Sequence, residues 1–349
     1  MKALEAEIEA GNVNKQVHPT LPLAIYKYSK VCVFTSHWNE ITLRCRGVVL
    51  DETGEIIING FPKFFNHNQA ECASEYAKRK ESSMAYEVTD KMDGSLIQVA
   101  RYRGQVVVAS SGSFTSPQAL KATELLTSRF NEIMEHYSYL FELIYPENRI
   151  VLNYGDMTSL VLLAIRETET GFEIDRGLHP SILNKVAVVN GRTLEEIEKD
   201  LKRDAFINKE GFIIKFSDGF RVKLKYDEYC RLHKIVSGVN EKYVWECLRD
   251  NVDIETQLVN VPDELYQFVR DAKAKFQAEY DGLDNAAKLI FYTINKEATR
   301  KEQAEFILRH YKEYAKILFM MLDGRDYSKL IWNAIEPEFK PGIMGMGEA

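Results

Sequence analysis

A lysine can serve as a nucleophile toward phosphorus when it is held near groups that receive an anion. The segment KMDGS, Lys91 to Ser95, offers that arrangement. It lies within EVTDKMDGSLIQVA, where apolar alternation on both sides predicts two short strands joined by a tight polar turn. Asp93-Gly94 has the residue types of such a turn. The stretch taken alone also fits an ordinary surface hairpin.

Other residues gather around this one. Arg46-Gly47 ends the LRCR run, and Lys63 opens KFFN, residues 63–66. By default Lys63 is a solvated strand end, and Phe64 and Phe65 are core. Glu142 falls in YLFELIY, which otherwise reads as a buried strand; an isolated carboxylate there is costly unless it is paired or bound. Glu210-Gly211 precedes the strand FIIKF, and Asp218-Gly219 predicts a hairpin turn. The return strand puts Arg221, Lys223 and Lys225 on one face, two residues apart. Such a stripe is either a solvated edge or a floor for phosphate.

The ordered set of RG, KFFN, KxDGS, FE with NRIV, EG and KxK resembles the RNA ligase 1 family of bacteriophage T4, a branch of the covalent nucleotidyltransferases. The resemblance runs from about Arg44 to Lys225. It implies an ATP-dependent RNA ligase that joins 5′-phosphate and 3′-hydroxyl ends through a lysyl-AMP on Lys91. Lys223 and Lys225 would contact the α-phosphate and leaving group, and Arg46 and Lys63 would help bind the ATP phosphates or orient the pyrophosphate leaving group. Asp93 and Gly94 would belong to the nucleotide site. Glu142 would meet the ribose or a metal-bound water, and Glu210 would bind hydrated metal. The cofactors implied are ATP and Mg2+, with Mn2+ able to substitute. The substrate implied is broken RNA, cleaved tRNA in particular, in the cytoplasm of a host cell. The loop SSGSFTS departs from the family in one place. Ser111 stands where a basic residue is usual, which leaves Gly112 and Ser113 as the nucleotide-loop residues. A DNA ligase, a GTP-using guanylyltransferase or an inactive relative that binds RNA ends are the alternatives.

Unprotonated Lys91 needs its ordinary pKa, near 10.4, brought down. Lys223, Lys225 and a bound metal supply the expected cause.

The elements that must position these groups follow. The 349-residue chain has 45% apolar and 28% charged residues and a net charge of −7, which argues against coating nucleic acid indiscriminately. Five scattered cysteines form no metal or disulfide spacing. No apolar run approaches a membrane span, and nothing calls for an obligate protein partner. Residues 1–237 predict an α+β adenylyltransferase domain of antiparallel sheets with flanking helices. Residues 238–349 predict an all-helical domain suited to RNA or tRNA, with a loose tail from Phe339. Ser116-Pro117 and Thr193 with Glu196 mark helix starts, and Pro262 marks another. The stripe Leu120, Ala122, Leu126, Phe130, Ile133 and Tyr137 predicts one helix running to Tyr137.

Overall fold

The computed structural model describes residues 2–178, 184–202, 208–258, 261 and 263–338. Pro262 and the tail from Phe339 lie outside these residues. The chain divides into two compact units, one through Arg231 and one from Leu232.

The first unit contains three sheets. Strands β1 (Val13–Val17), β2 (Leu23–Tyr28), β3 (Arg46–Asp51) and β4 (Ile56–Ile58) form one antiparallel sheet in that order. The remaining strands are β5 (Tyr86–Lys91), β6 (Ser95–Tyr102), β7 (Gln105–Ser110), β8 (Tyr137–Ile144), β9 (Ser159–Glu167), β10 (Glu173–Ile174), β11 (Asn184–Lys185), β12 (Gly211–Phe216) and β13 (Arg221–Lys225). A central sheet runs β10-β9-β8-β6-β7, with β11 beside β9, and a small sheet runs β13-β12-β5.

Both faces of the central sheet are covered, which is why its strands read as nearly continuous apolar runs. On one face Ile97, Val99, Phe141, Leu143 and Leu162 pack on Ala122, Leu126 and Ile133. On the other, Ala100, Tyr102 and Val107 meet Leu23, Ile25, Val49 and Ile58 of the first sheet. Truncating a core ring such as Phe141 to alanine costs about 3–5 kcal/mol in sites of this kind.

Ser116 caps the helix Pro117–Leu126 by accepting from the Ala119 amide, as its sequence predicts. The helix then stops short of Tyr137. Residues Thr127–Glu132 tighten into a 3-10 turn, and Tyr137 already belongs to β8. Leu120, placed on the apolar stripe, is exposed. The periodicity continued across a break because Phe130 and Ile133 pack on the same core from the turn.

The larger departure concerns Lys91. Strands β5 and β6 do not pair as a hairpin. β5 pairs with β12, while β6 pairs with β7 and β8. The KMDGS turn therefore carries the chain from one sheet to another. Gly94 makes the crossing possible, since a Cβ there would overlap the Leu143 carbonyl.

The second unit is helical; among the described residues no strand follows Lys225. Its longest helix, Asp263–Thr293, has 31 residues. Ala287 on that helix packs with Ile317 and Ile331, and Trp245 donates through Nε1 to the Trp332 carbonyl at 2.9 Å. Among the described residues, no helix is long and apolar enough to cross a membrane.

Candidate active site

Lys91 ends β5, directly across from Gly211 at the start of β12. Lys225 ends β13, across from the same glycine. Glu210 thus enters between two lysines. Its Oε2 lies 2.8 Å from Lys91 Nζ and its Oε1 lies 2.8 Å from Lys225 Nζ. The glutamate is 2% exposed, so a buried carboxylate is shared by two cations.

Burial opposes charge on Glu210, but the two lysines override it and hold the carboxyl below its ordinary range. Burial likewise opposes charge on Lys91. Glu210, Glu142 and Asp93 outweigh it, and the ammonium is held above its ordinary pKa. The expected depression by neighbouring cations is thus reversed, because Glu210, Glu142 and Asp93 together favour the charged amine. Lys91 at rest is protonated.

Glu142 projects from β8 and accepts from the Gly94 amide through Oε1 at 3.1 Å. Burial pushes its carboxyl up to about 7; Lys91 draws it down and Glu210 raises it further.

Asp93 is not an exposed turn residue. Its Oδ2 accepts from the Val151 and Leu152 amides, each at 3.0 Å, and its Oδ1 accepts from the Tyr229 hydroxyl at 2.8 Å. Its own amide donates to the Tyr154 hydroxyl at 2.9 Å. The turn after Lys91 is therefore fixed from three directions.

A cavity of about 220 Å³ opens beside this cluster, between the small sheet and the central one. Leu163, Val186 and Ile213 give it apolar walls, and Lys91, Glu142, Arg46 and Lys223 line it as well. Its shape and mixed lining suit a small ligand with an apolar body and an anionic end. Burial, reinforced by Arg46 and the neighbouring lysines, pushes Lys223 well below its ordinary pKa.

An RNA ligase family of the T4 RNA ligase 1 type matches residues 44–229, a little over half of the chain. The chain belongs to that family. It is an enzyme of the class that joins RNA ends. The ligase is 23% identical over 357 residues to an RNA ligase of Rhodothermus phage RM378, covering 81% of this chain and 78% of that one. It is 24% identical over 312 residues to a Thermovibrio ammonificans protein assigned as an RNA ligase, covering 84% of this chain and 70% of that protein. Its fold resembles that of an archaeal ATP-dependent RNA ligase, with a TM-score of 0.50 at 15% identity over 93% of this chain and 96% of the other.

Most of the residues singled out from the ligase sequence meet at this site, but not all do. Lys63 does not line the cavity. Its Nζ sits 5.2 Å from the ring centroids of Tyr28 and Trp38 and 5.4 Å from that of Phe65. Burial and then Arg46 pull its pKa down. Lys225 reaches the site through Glu210. Ser111 is buried, and Gly112 packs on the Lys27 side chain; the 111–113 loop does not line the cavity.

Two carboxylates, Glu142 and Glu210, act on the Lys91 ammonium. Among the described residues, no group of three His, Cys, Asp or Glu side chains could hold a metal. A hydrated divalent cation needs no such cluster, since it can take one or two protein carboxylates besides phosphate.

Tyr229 and Tyr154 were not foreseen. Tyr229 lies four residues beyond Lys225 in the KYDEY segment. Nothing in that spacing shows that its hydroxyl returns to Asp93.

Proposed function

We propose that this ligase is ATP-dependent and works through a lysyl-AMP on Lys91. The observation that carries the reading is the Lys91 ammonium, paired to buried Glu210 beside a cavity that also holds Arg46 and Lys223. A fold neighbour named as an ATP-dependent RNA ligase supports it.

In the first step the Lys91 amine attacks the α-phosphorus of ATP. The bond to the bridging oxygen breaks, and pyrophosphate leaves. Lys91 must first shed the proton that Glu210 helps it keep. Lys223 and Arg46 offset charge on the phosphates. Glu142 and Glu210 would hold Mg2+, or Mn2+ in its stead; when bound, the ion neutralises phosphate charge. In the second step a 5′-phosphate oxygen of RNA attacks the adenylate phosphorus, and Lys91 departs as an amine. In the third, a 3′-hydroxyl attacks the activated 5′-phosphate and AMP is released. Asp93 and Gly94 hold the turn that aims Lys91.

The substrate proposed is a cleaved tRNA in the host cytoplasm, with the helical unit contributing RNA contacts. The test is incubation with α-³²P-ATP and Mg2+, followed by a 5′-phosphate RNA oligonucleotide. Label is expected first on the protein and then on RNA. Label that enters only from GTP, or never enters, refutes the reading.

A further inference from the structure

The two phenylalanines of KFFN part company. Phe65 is buried and meets Trp38 edge-on at 5.5 Å. Phe64 lines the cavity instead. Its ring carries three cations: Lys223 Nζ lies 4.8 Å from the centroid, Arg46 Cζ 5.1 Å and Arg221 Cζ 5.9 Å. All three also line the cavity. Phe61 stands edge-on to Phe64 at 6.1 Å and holds the ring in place.

The three cations are not alike. Arg221 is neutralised by a two-pronged pair with Glu173, both bonds at 2.9 Å. Arg46 and Lys223 have no carboxylate partner among the described residues. Arg46 Nη1 is buried without a hydrogen bond. Two half-buried cations thus share a cavity and repel each other. The negative face of an aromatic ring is the group that holds both. It costs them no donor, so their N–H groups stay free for an anion.

We propose that Phe64 is a positioning residue, a π-faced platform that holds Arg46 and Lys223 convergent on the phosphates of the incoming nucleotide. The proposal rests on the ATP reading for the identity of that nucleotide, but the platform is a polyphosphate seat in its own right. Phosphate enters a site whose cations are already aimed, and the ordering cost of binding falls.

The experiment compares full-length wild type with Phe64→Leu, which keeps apolar bulk and loses the ring face, and Phe64→Tyr, which keeps the face. Inorganic pyrophosphate binding is measured by calorimetry. ATP-dependent labelling is measured against ATP concentration. Phe64→Leu is expected to weaken pyrophosphate binding about tenfold and raise KM for ATP similarly, with kcat within threefold. Phe64→Tyr is expected within twofold of wild type on both. Thermal melts verify folding, and Phe64→Met replaces the leucine variant if that one unfolds early. Pyrophosphate affinity and KM unchanged in the folded leucine or methionine variant overturn the proposal. So does a tyrosine variant as impaired as leucine. Wild type that binds pyrophosphate yet takes no label from ATP fails the ATP reading, while the calorimetric comparison still decides the platform.

Discussion

The Tyr229 hydroxyl donates to Asp93 Oδ1 at 2.8 Å, joining the first turn of the helix Asp227–Gly238 to the turn that follows Lys91. Asp93 is buried, and its other oxygen is committed to two backbone amides. Phenylalanine at 229 leaves Oδ1 unsatisfied, at a cost of about 1–3 kcal/mol. Tyr229→Phe is expected to lower urea stability by that amount and to slow formation of the protein–AMP adduct. Wild-type values on both would show the bond to be incidental.

Lys91→Ala is expected to abolish the adduct, as read by intact mass. An ordinary wet-pocket lysine would leave stability alone, but this one is paired with a buried carboxylate. Loss of a charged hydrogen bond costs about 1.5–3 kcal/mol, tempered because Lys225 remains on Glu210. An adduct persisting in the variant would place the nucleophile elsewhere.

Glu142 gives a pH signature with a definite sign. Its carboxyl is raised from 4.5 to about 7, so the folded state binds more protons than the unfolded state between those values. Stability from this group therefore falls as pH rises from 4.5 to about 7. Glu142→Gln removes that loss. Relative to wild type, the variant is expected to gain stability at pH 7.5 compared with pH 5, by paired urea titrations. A pH-independent difference would contradict the assignment.

Glu210 acts in the opposite sense to Glu142, whereas Lys91 shares the sign of Glu142 in a higher pH window. Glu210, held low, contributes stability that is present above its unfolded pKa and lost as pH falls through the folded value. Lys91, held high, contributes stability that is present below its unfolded pKa and lost as pH rises through the folded value. Glu210→Gln is expected to flatten the acid limb of the stability profile. It should also weaken the Mg2+ dependence of ligation. An unchanged Mg2+ titration would exclude a metal role.

Gly47 has φ +92, and a Cβ there would overlap the buried amide of Gln98. Gly47→Ala is expected to cost about 1–3 kcal/mol from overpacking alone, and to raise KM for ATP by displacing Arg46. An unaffected melting temperature would contradict this packing.

Residue types revealed the charged members of the site because buried or clustered charge is expensive and therefore conspicuous. Glu142 in an apolar strand and the alternating Arg221, Lys223 and Lys225 are such cases; the strand carrying the last three shows the expected alternation of burial. Pairing was less legible. Alternation on both sides of Asp93-Gly94 fits a hairpin and a crossing between sheets equally well, and the choice is made by β12 and β8, far along the chain. The Lys63 cage draws on rings from residues 28, 38 and 65, which no local pattern assembles. The protonation of Lys91 follows from the carboxylates of Glu210, Glu142 and Asp93, which the fold brings to it from distant parts of the chain.

The bridge from Glu210 to Lys91 and Lys225 has one more consequence. A free amine in a cleft invites stray acyl donors, cyanate and aldehydes. Here the reactive electron pair is capped by a proton that a neighbouring carboxylate helps to retain. The side chain stays chemically mute until something rearranges the charges around it. Amine-directed reagents should therefore spare residue 91 in the resting protein while they modify solvent-facing lysines.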